Sequence, residues 1–155
     1  MGEKDLNPEF TRCVEKGKII PFAKGPSLVS KELNSANDDL AASEDSLTRG
    51  NYKWATIQAY YSMFHIARAL IYAKKYREKS HYCLVVALEH LYVEKGVLEK
   101  GFVESLVIGK EMRESADYRS SFSKDGAENL IRAAEDFRDS AGKLVKKVNG
   151  RRDLK

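Results

Sequence analysis

The sequence predicts an all-α protein, an up-and-down antiparallel bundle of about five helices. Three observations lead to this prediction. Apolar residues recur at steps of three and four along most of the 155-residue chain, which is the spacing of one helix face. No segment alternates apolar and polar residues as a half-buried strand would. All three prolines lie at or before Pro26, so nothing after that point would interrupt a helix in the way that proline does.

The chain is expected to begin with an arm over residues 1–26, because the prolines there prevent a long helix. A helical domain is expected over 27–149. A basic tail over 150–155 follows it, with Arg151 and Arg152 among its residues. Basic residues at this position often complement the C-terminal end of a helix dipole, and they could also contact RNA.

Five amphipathic or apolar segments make up the predicted bundle. They run over about 30–49, 51–76, 81–95, 99–114 and 127–148. Gly50 and Gly96 stand where helices commonly end. The second segment is apolar or aromatic nearly all round between Ile57 and Ala73, which is typical of a central helix covered by neighbours or by a dimer partner. Short connections between such helices make neighbours antiparallel.

Composition indicates a cytoplasmic protein without a membrane span. The chain has no apolar run near the ~18 residues that a span needs, and its start carries acidic residues where a signal peptide would be apolar. A net charge of +4 permits an acidic partner such as nucleic acid, although 23 acidic residues are mixed among 27 basic ones. Cys13 and Cys83 are isolated, so we expect reduced thiols, no zinc site and no cofactor.

Arg77 and His81 are the candidate catalytic pair. Ser80 is suited to cap the helix that follows, and the positive end of the helix dipole would keep His81 neutral and able to act as a base. Arg77 could hold a phosphate near the same helix end, where backbone N–H groups already favour anions. The alternative is that Ser80 and His81 only cap the helix.

A second candidate cluster would bind a ligand between the second and fourth helices. His65 and Arg68 share one helical face, and a buried pair of this kind needs polar partners. Asp117 and the hydroxyl of Tyr118 could supply them from the fourth helix, where Arg113 would join the same cluster. The sequence leaves open whether these five residues form a ligand pocket or only a structural network.

Other polar and aromatic positions are expected to be structural. His90 and Glu89 fall on the exposed side of the third helix by periodicity, so we expect both to be solvated. Aromatic side chains in the second helix could stack on nucleobases, but at helical spacing they more often pack in a core or an interface. They are Tyr52, Trp54, Tyr60, Tyr61 and Phe64.

Three stretches, in order, resemble motifs of the HEPN family, the higher eukaryote and prokaryote nucleotide-binding domain. The first is AYYSMFHIARAL at Ala59–Leu70, which is similar to the family's second helix. The second is KSHYCLVVAL at Lys79–Leu88, which resembles its Ser-His start of the third helix. The third is RESADY at Arg113–Tyr118, which resembles its Arg-x-x-Ala-Asp-Tyr motif. The resemblance extends over about Leu33 to Val148.

The resemblance implies a homodimer built on the long helices, often beside a minimal nucleotidyltransferase partner. It also implies that some relatives are metal-independent ribonuclease toxins, with an Arg and a His inside one helix forming a site across the dimer axis. Arg77 and His81 stand closer together than in that pattern and at a helix start. We therefore expect a non-enzymatic or weakly active subunit that binds a nucleotide or RNA. The alternatives are a ribonuclease toxin of a toxin–antitoxin pair and a purely structural adapter.

Overall fold

The computed structural model describes residues 7–119 and 122–153, with the side chains of 116–119 and 147–153 excepted. Within these residues it contains six α-helices and one two-stranded sheet. In chain order the elements are α1 (Pro8–Glu15), β1 (Ile19–Pro21), α2 (Gly25–Thr48), α3 (Tyr52–Ala73), β2 (Tyr76–Glu78), α4 (His81–Leu88), a π-helical turn (Glu89–Val93), α5 (Lys100–Arg119) and α6 (Lys124–Asp153). The predicted all-α bundle is confirmed.

Helix α3 is the centre of the bundle, as its all-round apolar sequence predicts. It packs against α2, α4, α5, α6 and β2. Two hydroxyls fix it against α2, since the Ser43 Oγ donates to the Ala55 carbonyl at 2.6 Å and the Ser62 Oγ donates to the Ala36 carbonyl at 2.8 Å. Because residue numbers rise on one helix as they fall on the other, α2 and α3 are antiparallel.

The two strands were not predicted from the sequence. β1 and β2 pair antiparallel, with Ile19 opposite Glu78 and Pro21 opposite Tyr76. Three residues are too few to produce a visible alternation, which explains why the pattern was missed. Helix α3, the second helix of the prediction, ends at Ala73 rather than near Tyr76, because Lys75 adopts a positive φ of 67° and turns the chain into β2.

The expectation of reduced thiols is wrong, because Cys13 and Cys83 form a disulfide. Helix α1 folds back onto α4, and this brings the two Cα atoms to 5.9 Å although the residues are 70 apart in sequence. Both cysteines are buried in the core. A pairing of this kind depends on the tertiary fold, and the spacing of two cysteines does not encode it.

Helix α1 also changes the surroundings of His90 and Glu89. The prediction that both side chains are solvated is wrong. Both are half-buried. The His90 imidazole stacks on the Phe10 ring with centroids 4.2 Å apart, and its Nδ1 lies 3.1 Å from the Glu94 carboxylate. The periodicity of one helix cannot show that an N-terminal helix covers its outer face.

Two further contacts hold the later helices of the bundle in place. Beyond α4 the helix widens into the π-helical turn, whose Tyr92 donates its hydroxyl to the Leu70 carbonyl at 2.6 Å. Helices α5 and α6 join through the stacked rings of Phe102 and Phe137, with centroids 5.2 Å apart. Among the residues that the structure describes, no helix is both long and apolar enough to cross a membrane.

Candidate functional site

An open pocket of about 500 Å³ lies where α3, β2 and the start of α4 meet. Arg68 comes from α3, Arg77 from β2 and His81 from the first position of α4. The pocket therefore contains both residues of the predicted catalytic pair and one residue of the predicted ligand cluster. Its lining residues are Phe64, Arg68, Arg77, Glu78, Lys79, Ser80 and His81.

Ser80 caps α4, as the sequence predicts. Its Oγ accepts a hydrogen bond from the Cys83 amide at 3.1 Å. The first amides of a helix have no partner within the helix, and they carry its positive dipole end into this pocket. The cap is formed by Ser80 and not by the imidazole of the next residue, so the capping role does not occupy His81.

The His81 side chain is held neutral at the edge of the pocket. Its pKa is lowered to about 4, chiefly by burial and then by the nearby Lys110, while Glu114 opposes the shift. The ring lies 6.0 Å from the Tyr60 ring, and its buried Nε2 has no hydrogen-bond partner among the described residues. A neutral imidazole can accept a proton from a ligand or donate a hydrogen bond to it. Neutrality follows the prediction, although burial rather than the helix dipole is its main cause.

Arg68 is fixed by an ion pair with the buried carboxylate of Glu78. Its Nε donates to the Glu78 Oε2 at 3.0 Å, and its guanidinium lies 5.0 Å from the centre of the Phe64 ring. Arg77 stacks its guanidinium over Phe22 at 5.2 Å, and its buried Nε has no partner among the described residues. With Lys79, the pocket wall carries three cationic side chains and one carboxylate. This excess of positive charge suits an anionic ligand such as a phosphate.

The structure separates the members of the predicted ligand cluster that it describes. His65 faces α2, where its Nδ1 lies 3.0 Å from the Glu32 carboxylate and its Nε2 lies 3.6 Å from Asp39. Burial is the main cause of the raised pKa of that aspartate. Arg113 lies over the Tyr61 ring at 5.2 Å. Of the cluster members whose side chains the structure describes, Arg68 alone lines the pocket.

Two members of that cluster, Asp117 and Tyr118, have side chains outside the described part of the structure. The sequence suggested them as partners for His65 and Arg68. The partners present in the described residues are carboxylates of α2 and β2. Across the described side chains, no group of three or more His, Cys, Asp and Glu is arranged to hold a metal ion.

The aromatic side chains of α3 mostly pack, as expected. Tyr60 is buried, and burial raises its pKa to about 12. Tyr52, Tyr61 and Phe64 are half-buried against the core. Trp54 differs, since 49% of it is exposed.

Glu78 is the residue of the pocket that sequence reasoning missed. It lies in the short connection between the second and third predicted helices, which run over about 51–76 and 81–95. Pairing with Ile19 in β1 buries it to 7% exposure. No local signal could have identified it, because its burial depends on a strand about 60 residues earlier in the chain.

Comparison with known proteins adds a family and two relatives. A family model described as the HEPN domain matches residues 29–144, well over half of the chain. A candidate toxin of Methanocaldococcus jannaschii is 28% identical over 117 residues, which cover 75% of this chain and 87% of that protein. A second candidate toxin of the same organism is 25% identical over 119 residues, which cover 76% of this chain and 81% of that protein.

Proposed function

Because the chain belongs to the HEPN family, we propose that it is a toxin of a toxin–antitoxin pair that cleaves RNA without a metal ion. The observation that carries the proposal is the neutral His81, whose buried Nε2 has no described partner, beside two arginines in a cationic pocket. The two relatives, both named as candidate toxins, support the same direction. An RNA target agrees with a cytoplasmic location, which is part of the proposal.

The chemistry follows from the groups present. Arg77 and Arg68 hold the phosphodiester, and His81 accepts the proton of the neighbouring 2′-hydroxyl as its oxygen attacks phosphorus. The 5′-oxygen then leaves, and the new end is a 2′,3′-cyclic phosphate. A pKa of about 4 makes His81 a weak base when the pocket is empty of anion, but a bound phosphate favours the imidazolium and raises that pKa.

Protonation of the leaving oxygen needs a second group, since the imidazole that accepts the first proton cannot donate at the same moment. A homodimer that brings two pockets together supplies a second His81, which donates the proton in its imidazolium form, the form that the bound phosphate favours. This part of the proposal predicts that the active species is a dimer. Light scattering at micromolar concentration measures it, and an active monomer would contradict it.

Expression in a bacterial host tests the toxin. The wild-type protein should arrest growth, and Arg77→Ala or His81→Ala should relieve the arrest. Arg49→Ala and His90→Ala are matched controls, because Arg49 is an exposed residue paired with Asp45 and His90 belongs to a separate contact with Glu94. The controls should remain toxic. Harmless expression of folded wild-type protein would count against the proposal.

A second candidate function is a homodimeric subunit that binds a nucleotide or RNA, with a minimal nucleotidyltransferase as partner. The observation that favours it is the ion pair between Arg68 and the buried Glu78. This pair fixes a guanidinium that can hold an anion, and it takes no part in proton transfer. Under this function, nucleotides raise the melting temperature while RNA stays intact. An adapter bundle would also leave RNA intact, but nucleotides would not raise its melting temperature.

A further inference from the structure

We propose that Glu78 is a specificity-determining residue of this pocket, selecting phosphate ligands that carry a hydroxyl or amino group beside the phosphate. The donor group of the ligand would hydrogen-bond to the Glu78 Oε1. The inference rests on the proposed function, because it concerns the ligand of the same pocket.

The two carboxylate oxygens of Glu78 differ in their hydrogen bonding. The Glu78 Oε2 accepts from the Arg68 Nε at 3.0 Å, whereas the buried Oε1 has no hydrogen-bond partner among the described residues. A buried carboxylate oxygen without a donor is costly and rare in native proteins, so a donor from outside the described residues is expected to meet it. The residue is 7% exposed and lines the pocket, so the pocket is where a donor can reach it.

The Glu78 side chain is also held in position. The backbone of Glu78 pairs with Ile19 in the sheet, and the next amide, that of Lys79, donates to the Lys18 carbonyl at 2.8 Å. The ion pair with Arg68 fixes the carboxylate itself. The paired backbone and the ion pair together hold the carboxylate in a fixed position in the pocket lining.

The balance of charge in the pocket bears on the ligand as well. Arg68, Arg77 and Lys79 attract a phosphate, but Glu78 repels one that comes too close. Inorganic phosphate has no O–H other than those on its own phosphorus, and placing one of these on the Oε1 brings the anion against the carboxylate. A ligand that places an O–H or N–H on that oxygen and its phosphate on the arginines satisfies both sets of groups. A nucleotide has this chemistry, and its donor can be a sugar hydroxyl or a base amino group.

Calorimetric titration of the full chain tests the inference with inorganic phosphate, ribose 5-phosphate, 2′-deoxyribose 5-phosphate, AMP and UMP. We expect a ligand that carries the donor group to bind at least about tenfold more tightly than inorganic phosphate, as judged by the dissociation constants. Tight ribose 5-phosphate identifies a sugar hydroxyl, and its loss in the deoxy sugar assigns the 2′ position. Tight binding of AMP but not UMP or the sugar phosphates identifies a base amino group. Equal affinity for all five ligands, or no binding of any of them, overturns the inference.

Glu78→Gln gives the matched test of the residue. The preference over inorganic phosphate should fall to about onefold, while inorganic phosphate binds as well as before or better because a negative charge is gone. Asp45→Asn, which removes an exposed carboxylate of α2, should keep the preference. A folded Glu78→Gln protein that keeps the full preference overturns the inference. Should that variant not fold, the wild-type ligand series alone decides.

The outcome is separable from that of the proposed function. A protein that shows the ligand preference but leaves RNA intact supports the role of Glu78 and refutes the ribonuclease. A protein that cleaves RNA but shows no preference refutes the role of Glu78 alone.

Discussion

The disulfide between Cys13 and Cys83 is expected to contribute about 4 kcal/mol to the free energy of unfolding. Its two residues are 70 apart in sequence, so reduction releases a long loop in the unfolded chain. The chain-entropy relation gives about 4 kcal/mol for a loop of that length at 25 °C. Measured values are often lower, so a loss of about 2 to 4 kcal/mol is the expected range.

Urea unfolding followed by circular dichroism, with and without dithiothreitol, measures this difference. The oxidised protein should unfold at the higher urea concentration. A Cys13→Ala, Cys83→Ala double variant should match the reduced protein and should not respond to the reductant. A thiol titration of the unfolded, unreduced protein should find no free thiol. Two free thiols and identical unfolding curves would refute the disulfide and the packing of α1 on α4 that forms it.

Three further predictions concern the core and the pocket. Gly25→Ala should lower the free energy of unfolding by about 2 to 3 kcal/mol in thermal or urea unfolding, because the new Cβ would overlap a backbone carbonyl of α3. The control Gly101→Ala places its Cβ in open space and should be neutral or slightly stabilising, and equal effects of the two substitutions would contradict the close contact. Tyr92→Phe should cost about 1 to 2 kcal/mol because it leaves a buried carbonyl without its donor, and an unchanged urea midpoint would contradict that bond. The pKa of His81 is lowered to about 4 in the folded state, so between pH 6.5 and 4 the unfolded chain binds a proton that the folded chain does not, and acidification destabilises the protein. After allowance for partial exposure this amounts to about 1 to 2 kcal/mol, and His81→Gln should lose that part of the pH dependence; parallel unfolding curves for the two proteins across this range would refute it.

The parts of the fold that sequence could predict are those governed by local periodicity. The apolar surface of α3 predicted a central helix, and the stripes of α2 and α6 predicted their buried faces. The serine before α4 predicted the cap, because capping depends on residues three positions apart. Each of these features is encoded within one helix.

The features that sequence could not predict depend on contacts between distant segments. The disulfide, the strand pair and the burial of His90 all arise because residues 8–21 fold back onto α4 and β2. The pocket shows the same division. Arg77 and His81 were identifiable from a helix start, whereas Glu78 becomes a buried acid only when β1 covers it.

RNA cleavage by the purified protein is the decisive test of the proposed metal-independent ribonuclease activity. The assay uses a fluorescent oligoribonucleotide in a buffer with a metal chelator, and it compares the wild-type protein with His81→Ala, Arg77→Ala and the control His90→Ala. The wild-type protein and the His90 variant should produce fragments that end in a 2′,3′-cyclic phosphate, and the two pocket variants should be at least about a hundredfold slower. Intact RNA with the folded wild-type protein, or equal cleavage by the His81 variant, would contradict the account.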